Sequence, residues 1–355
     1  MPDWLSSMQQ TFEYYVVDPG TWKDSRRITT VTSCDISRDS TSETLGSASI
    51  TVTETLGECY IRAYLVTVQN DITEKHPLGT FLVQTPSLNF DGKVQSLSAD
   101  AYTPLLELKE NPPPIGYSVL EGENVMERAY LLTREHVRAP VVKPQDSSVL
   151  HYDFVADTND TWLTFITDLI ANAKFIFTLD EMGRILFSPK QNTASLQPVW
   201  TYDDDGKSIL YQDISVSKDL YKIPNVVEVI YSNGSDQYYA RVVNDDPASP
   251  VSTVNRGREI IHRVTDPGLV GDPTKNQIEE YAKQLLKEMS VIECTVSYTH
   301  GYCPVRVGDC VRLNYSRAGL VGVKAKVISQ SIRCEPGCPV SEAAVFTTKL
   351  WEGIA

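Results

Sequence analysis

The stretch Ile278–Tyr298, IEEYAKQLLKEMSVIECTVSY, changes its hydrophobic period within a few residues. Its first part repeats apolar residues at three- and four-residue spacing, the pattern of a helix with one buried face: Ile278, Tyr281, Ala282, Leu285, Leu286 and Met289. Its second part alternates apolar with polar residues, as a half-buried strand does; the apolar positions are Ile292, Cys294, Val296 and Tyr298. We expect Asp272 to cap the helix, Pro273 to begin it, and a strand to follow at once.

The region around this stretch, residues 221–355, is otherwise rich in strand patterns. Seven segments combine β-branched and aromatic residues between turn residues: Val226–Tyr231, Tyr238–Val243, Glu259–Val264, Val291–Tyr298, Asp309–Tyr315, Gly322–Ile332 and Ala344–Leu350. This spacing predicts a β-barrel-like domain with an inserted helix over 273–289.

Residues 25–103 show a similar pattern and predict a first antiparallel β-barrel-like domain. Its strand segments are Ser49–Thr55, Tyr60–Val68, Thr80–Gln84 and Val94–Tyr102. Asp91-Gly92 predicts a hairpin turn, because its residues tolerate positive φ. Residues 1–24 have bulky aromatic residues but no period. We expect them to form an N-terminal arm that packs on the following domain or on another subunit.

Residues 104–220 mix helical and strand patterns. Gly122–Thr133 and Asn159–Ala173 predict two helices, the second capped by Thr158 or Asn159. Phe175–Leu179 and Arg184–Phe187 predict a hairpin. The predicted fold class is therefore α+β, mainly β, with two small antiparallel β-barrel-like domains flanking a mixed α+β middle domain.

The composition excludes several classes of function. The 355 residues carry a formal net charge of −14, which disfavours a dedicated binding surface for nucleic acid or anionic lipid. No apolar stretch is long enough to cross a membrane, and the first residues do not resemble a signal peptide. Seven cysteines spread over this length do not suggest a secreted disulfide framework. We expect synthesis in the cytoplasm.

Familiar catalytic motifs are incomplete. Gly206-Lys207-Ser208 lacks the earlier glycine of a phosphate-binding loop, and three aspartates precede it. Gly116-Tyr117-Ser118 lacks the second glycine of a nucleophile elbow, because position 120 is Leu. The five histidines are scattered without metal-ligand spacing. We therefore expect no enzyme, no catalytic residue and no cofactor.

Cys334 and Cys338 are the weak candidates for a metal site, since three residues separate them. A second pair is missing, because six residues separate Cys303 from Cys310, which is too many for a ligand pair of this kind. The expectation is no metal. A disulfide between Cys334 and Cys338 is the alternative if the protein leaves the reducing cytoplasm.

A weak internal echo links the two β-rich regions. Pro77–Val83, PLGTFLV, and Arg306–Leu313, RVGDCVRL, each place a glycine before a strand pattern. Gly79, Gly308 and Asp309 are therefore predicted to occupy structural turns. Either a duplication or the frequency of such turns in β domains explains the similarity.

The order of these parts resembles the bacteriophage tail baseplate hub family, the late-control-D-like proteins of phage tails. The resemblance runs from about residue 28 and is carried by β-structure patterns rather than by catalytic residues. The matching stretches are Thr32–Asp39, Gly46–Val52, Leu78–Val83, Pro224–Val229, the capped helix and Pro304–Val311.

The resemblance implies a homotrimeric ring with two barrel-like domains per subunit, giving pseudo-sixfold symmetry. Such a ring joins the sixfold tail tube or distal tail protein to a threefold spike or fibre, and a tape measure protein is a further candidate partner. DNA passes through the ring without specific binding, and no part inserts into a membrane. The implied location is the virion tail tip. Because the chain ends directly after its last strand pattern, any hydrolase activity is expected on another chain.

Two other functions remain open from the sequence. A tail-associated cell-wall or polysaccharide hydrolase would use acids of the middle domain such as Asp153 and Asp157. A carbohydrate-binding module would use Trp162 or Trp200 as a stacking surface, although the helical period around Trp162 favours a core position.

Overall fold

The computed structural model describes residues 2–90, 92–93, 95–191, 195–206, 208–232, 237–265, 267 and 273–352. In these ranges the strands are β1 Gln9–Asp18, β2 Lys23–Ile28, β3 Val31–Asp39, β4 Gly46–Val52, β5 Tyr60–Gln69, β6 Ile72–Phe90, β7 Gln95–Tyr102, β8 Ser118–Val119, β9 Phe154–Val155, β10 Phe175–Leu179, β11 Ile185–Pro189, β12 Pro198–Asp203, β13 Leu210–Lys218, β14 Val226–Ser232, β15 Gln237–Val243, β16 Ile261–Val264, β17 Val291–Gly301, β18 Cys310–Tyr315, β19 Leu320–Arg333 and β20 Pro339–Lys349. The helices are α1 Leu106–Lys109, α2 Val125–His136, α3 Trp162–Ala171, α4 Thr253–Arg256 and α5 Lys275–Met289.

The chain forms two compact units. The first contains Met1–Ile214 and Ser297–Ala344, and the second contains Ser215–Val296 and Val345–Ala355. The backbone passes between the units within β13, β17 and β20. The division into an arm over 1–24 and domains over 25–103, 104–220 and 221–355 stays a prediction.

A single sheet of the first unit joins strands from the beginning of the chain to strands from its end. Its order includes β20-β19-β3-β4-β7-β6-β5-β1-β2. Strands β3 and β19 pair antiparallel from Asp39 opposite Ser329 to Asp35 opposite Arg333. Strand β18 pairs antiparallel with β19 and parallel with β12. Sequence separation alone does not reveal these partners.

The N-terminal aromatic residues pack on the strands that follow them. Strand β1 pairs antiparallel with β5 over nine positions, although its sequence shows no clear period. Trp4 lies edge-on to His76, and Trp22 lies edge-on to Tyr60. Of the two expectations for this segment, packing on the neighbouring strands is the one that the structure displays.

The helices of the middle region bury the faces that their sequence predicts. The side chains that form the α3 part of the core are Trp162, Leu163, Phe165, Ile166, Leu169 and Ile170. The caps differ from the prediction. Thr161, rather than Thr158 or Asn159, caps α3, and its hydroxyl accepts from Thr164 N while the Thr164 hydroxyl accepts from Thr161 N. This reciprocal capping box satisfies two backbone donors that Thr158 does not reach.

Helix α2 begins later than the predicted Gly122. Asn124 caps it, because its side-chain oxygen accepts from Glu127 N at 2.7 Å. Strands β10 and β11 form the predicted hairpin, with Leu179 opposite Ile185.

The second unit contains a three-stranded sheet, in the order β15-β14-β16, with α5 packed against it. The buried residues of α5 are Ile278, Ala282 and Leu286, which belong to the predicted stripe. Thr274 caps α5 in a capping box with Gln277, so the helix begins two residues after Pro273. The predicted cap, Asp272, lies outside the described residues.

The fold class is confirmed as α+β and mainly β, with 48% strand and 15% helix. The description of the ends as barrels stays a prediction. Strands β6 and β7 pair antiparallel up to Phe90 opposite Gln95, and Gly92 between them has a φ of 90°. Asp91, the other residue of the predicted hairpin turn, lies outside the described residues. No helix in the described ranges has the length and apolarity that a membrane crossing requires.

Candidate functional site

The turn between β10 and β11 docks its tip on both β-rich parts of the first unit. The Glu181 carboxylate, which is largely buried, accepts from Arg306 at 2.8 Å and lies 3.7 Å from Arg38. Arg38 belongs to β3, and Arg306 precedes β18. One acid therefore pairs with cations from the two β-rich ends of the sequence. A paired acid of this kind costs less to bury than an isolated one.

The same turn presents a backbone carbonyl to a buried cation. The Met182 carbonyl accepts from Trp22 Nε1 at 2.7 Å and from Arg62 at 3.0 Å. Arg62 is only 1% exposed, and it also donates to Asp24 at 2.7 Å and to Thr80 at 2.8 Å. These hydrogen bonds compensate the guanidinium for its lost water.

Gly183 completes this tip. Its φ is 74°, in the left-handed region that glycine adopts without strain. A Cβ atom there would lie 2.8 Å from Thr80 Cβ. The hairpin can approach β6 this closely only because position 183 has no side chain.

Arg38 also ties β3 to its neighbours. It donates to Gln330 Oε1 on β19 at 3.1 Å and to the Leu78 carbonyl on β6 at 2.6 Å. Together with Glu181, these contacts bring three strand regions and the hairpin tip to one residue. We call the set Arg38, Arg62, Glu181, Met182 and Gly183 the junction.

A second polar cluster is buried between the ends of β17, β19 and β20. Glu342 lies 3.2 Å from His300 Nε2 and accepts from the Tyr298 hydroxyl at 2.7 Å. Gln330 donates to Glu342 and to the Val305 carbonyl. We call this cluster the buried polar network. Its carboxylate is stable only because the surrounding donors satisfy it.

In the buried polar network, the positive charge of His300 and the negative charge of Glu342 stabilise each other. Burial alone lowers the pKa of His300, but hydrogen bonds with Cys303 and Glu342 outweigh it and raise the pKa to about 10. Burial alone raises the pKa of Glu342, but the His300 hydrogen bond and charge lower it below the ordinary value. The pair is therefore an ionised histidine and carboxylate at neutral pH.

Cys303, His300 and Glu342 have the residue types of a nucleophile, base and orienting acid. Cys303 Sγ lies 3.9 Å from His300 Nδ1, but that nitrogen is 2.6 Å from the Gly301 carbonyl. An imidazolium that donates to Gly301 and Glu342 has no lone pair with which to accept the thiol proton. All three residues are almost fully buried. This cluster is suited to holding strands together rather than to covalent catalysis.

The predicted turn residues lie in two different settings. Gly308 has a φ of 97° and Asp309 Oδ2 accepts from Arg306 N at 2.9 Å, so both belong to one tight turn before β18. Burial raises the pKa of Asp309. Gly79 lies within β6 opposite Ala63, beside a bulge in the β5–β6 pairing, rather than in a turn. A Cβ atom at position 79 would lie 2.5 Å from the Phe81 ring, so the glycine leaves room for that ring.

The cysteine candidates do not converge on a metal site. Within the described ranges, no group of three or more His, Cys, Asp or Glu side chains has the arrangement of a metal site. Cys338 is buried at the end of a turn, where its N–H donates to the Glu335 carbonyl at 2.8 Å. Cys334 instead extends the β3–β19 pairing and lies opposite Cys34. Nothing in the sequence indicated that Cys34 would be its neighbour.

The residues of the two alternative functions occupy ordinary structural positions. Asp153 accepts from Glu121 N, and the backbone N–H of Asp157 donates to the Asp160 carboxylate. Trp162 is a core residue and stacks on His136 at 4.3 Å. Since Trp162 has its face covered, it offers no stacking surface to a sugar. Trp200 lies on β12, where it pairs with Val311.

The junction was not predicted from the sequence. Arg38, Arg62 and Glu181 are charged residues in segments without a motif, and nothing in their spacing marks them as neighbours. The only local signal was the predicted turn after Phe175–Leu179, which places Glu181 at a hairpin tip.

No family model matches the sequence, and no curated protein matches it. Solved structures do match over nearly the whole chain. A tail protein from Neisseria meningitidis MC58 is similar at a TM-score of 0.59 and 14% identity, covering 95% of this chain and 97% of that chain. The 43 kDa tail protein of prophage MuSo2 from Shewanella oneidensis is similar at a TM-score of 0.58 and 10% identity, covering 94% and 98%.

A structure of the Francisella PdpA–VgrG complex is also similar, at a TM-score of 0.56 and 7% identity. It covers all of this chain and 55% of the chain it matches. The chain thus has the fold of phage tail proteins. This finding confirms the resemblance read from the sequence at the level of the fold.

Proposed function

We propose that this chain, with its phage tail protein fold, is a structural component of a phage tail baseplate. The observation that carries the proposal is the extent of the likeness. Both similar tail proteins match over more than nine tenths of their own length and of this one. The likeness therefore spans nearly the full length of these chains rather than one shared domain.

We further propose that the working form is a homotrimeric ring at the tail tip. It connects the tail tube or distal tail protein to a central spike or fibre, and DNA passes through it. The isolated chain exposes large apolar side chains on β6, including Leu88 and Phe90, which are 61% and 71% exposed. Exposed apolar residues of this size support assembly with other subunits.

The negative charge supports the DNA channel. Three copies would carry three times the formal charge of −14. A channel lined by part of that charge would repel a passing duplex and prevent it from binding. The ring would then conduct DNA without specific contacts.

The first test is the mass of the purified full chain in solution, measured by light scattering over a range of concentrations. The expected result is three copies per particle, with labelled chain found at the tail tip in images of the virion. A chain that stays monomeric at high concentration and forms no ring in the virion would contradict the trimer.

The same preparation tests the hydrolase alternative. We expect no clearing of purified cell wall by the trimer. Clearing that is lost in Asp153→Asn or Asp157→Asn, with the trimer intact, would overturn the structural function. Asp246→Asn, on a different loop, is the matched control for a general effect of removing an acid.

A further inference from the structure

Cys34 on β3 and Cys334, directly after β19, are direct cross-strand neighbours. The antiparallel register runs through Ile36 opposite Ile332, and its last position pairs Asp35 with Arg333. The backbone N–H of Cys334 donates to the Cys34 carbonyl at 3.0 Å, which continues the ladder by one position. Two cysteines about 300 residues apart in sequence therefore lie opposite each other.

Their side chains leave the same face of the sheet. Ile36 and Ile332, two positions along each strand, are both buried, so the face that carries Cys34 and Cys334 is the core face. Cys34 is buried and Cys334 is half-buried. Cys334 raises the pKa of Cys34, and both cysteines raise the pKa of Tyr14, as neighbouring groups do.

This placement suits a covalent bond between the sulfurs. Opposite residues of an antiparallel pair have Cα atoms about 4.5–5.5 Å apart. A disulfide accepts Cα separations of about 4.4–6.8 Å. We propose that Cys34 and Cys334 form a disulfide that cross-links β3 to the end of β19 when the protein meets a low-molecular-weight disulfide such as oxidised glutathione.

The reaction is a pair of thiol–disulfide exchanges. The Cys334 thiolate, the more exposed of the two, attacks one sulfur of oxidised glutathione and releases one glutathione thiolate. The Cys34 thiolate then attacks Cys334 Sγ in the mixed disulfide and releases the second. The protein loses two protons and two electrons, and one oxidised glutathione becomes two reduced molecules.

The environment of Cys34 sets the rate of the second exchange. The neighbouring Cys334 and burial raise the pKa of the Cys34 thiol well above the ordinary value. Only the thiolate attacks, so the second exchange is slow at neutral pH. Below that pKa the rate of cross-linking rises about tenfold with each pH unit, because the thiolate fraction does.

The test uses the full chain, purified in reductant and then treated with oxidised glutathione at pH 8.5. Free thiols are blocked with iodoacetamide, and the digest is mapped by mass spectrometry without reduction. The expected product is a peptide pair joined through Cys34 and Cys334, with a mass about 2 Da below the sum of its thiols. The oxidised protein is expected to melt a few degrees above the reduced protein.

Cys338→Ser is the matched control, because Cys338 shares the turn with Cys334 but lies on no strand opposite it. The cross-link should persist in Cys338→Ser and disappear in Cys334→Ser. A bond between Cys334 and Cys338 would overturn the proposal, as would a stable glutathione adduct on Cys334 with Cys34 still free. Mapping the unsubstituted chain alone decides among these products, so the test does not depend on the folding of any variant.

Discussion

His300 and Glu342 show how a buried charge pair is maintained in a β-rich core. Both side chains are almost fully buried, and both remain ionised because each supplies the charge that the other needs. Removing one partner leaves an uncompensated buried charge, which is costlier than the pair itself. Tyr298 and Gln330 add hydrogen bonds that orient the carboxylate.

We predict that this pair makes stability depend on pH on both sides of neutrality. The folded pKa of His300, about 10, lies above its ordinary value of 6.5, so its contribution is complete below pH 6.5 and is lost as pH rises toward 10. The folded pKa of Glu342 is lowered, so its contribution is present above 4.5 and is lost as pH falls. Denaturant titrations that extend well below pH 4.5 and up to pH 10 measure both losses.

Glu342→Gln should cost about 3–5 kcal/mol at pH 7 and remove most of the decline between pH 6.5 and 10. The matched control is Glu293→Gln, which makes the same change at an exposed position of β17. An unchanged slope of stability against pH in Glu342→Gln would show that His300 does not depend on this carboxylate.

At the scale of single elements, caps rather than periodicity fix where helices begin. The apolar stripe of α3 is readable from its sequence, but Thr158, Asn159 and Thr161 are all residue types that favour an N-cap position. The reciprocal hydrogen bonds with Thr164 select Thr161. In α5 the N-cap is likewise set by a capping box, in which Thr274 pairs with Gln277.

Thr161→Ala is expected to destabilise the first unit by about 1 kcal/mol, because it leaves the Thr164 N–H without its capping acceptor. Thr158→Ala is the control, since this exposed residue lies three positions earlier and contributes no cap. Its effect should stay within about 0.5 kcal/mol. Equal losses in the two variants, measured by denaturant unfolding, would refute the assignment of the cap.

At the scale of the first unit, one hairpin tip fastens strands from distant parts of the chain. Glu181 pairs with Arg38 and Arg306, and Met182 accepts from Arg62. Glu181, Arg38 and Arg62 have little access to water, whereas the Arg306 side chain is 60% exposed, so the buried contacts depend most on the exact approach of the tip. Gly183 permits that approach, because any side chain there would meet Thr80.

Gly183→Ala should therefore cost about 2–3 kcal/mol, from strain at positive φ and from the contact with Thr80. Gly122→Ala separates the two causes, since Gly122 has a φ of 82° and open space around its Cβ position. That variant should cost only about 1 kcal/mol. Unfolding of both variants measures the difference, and equal costs would mean that the tip does not approach β6 closely.

The sequence by itself determined the fold class and most of the regular elements. The change of period in Ile278–Tyr298 predicts α5 and β17, and the stripes of α2 and α3 predict the faces that become buried. Local periodicity is sufficient here because a helix or strand with one buried face must repeat apolar residues at its own spacing. Strand β1 escaped prediction because its inner and outer positions do not differ in polarity.

Only the tertiary structure decided which distant elements meet. The pairing of β3 with β19, the parallel pairing of β12 with β18, and the contact of Cys34 with Cys334 each join segments more than 100 residues apart. Hydrophobic periodicity determines which face of a strand is buried, but it does not determine the neighbouring strand, because many strands have similar patterns. The choice is made by side chains such as Arg38 and Glu181, whose charges find compensation in one arrangement of the whole unit.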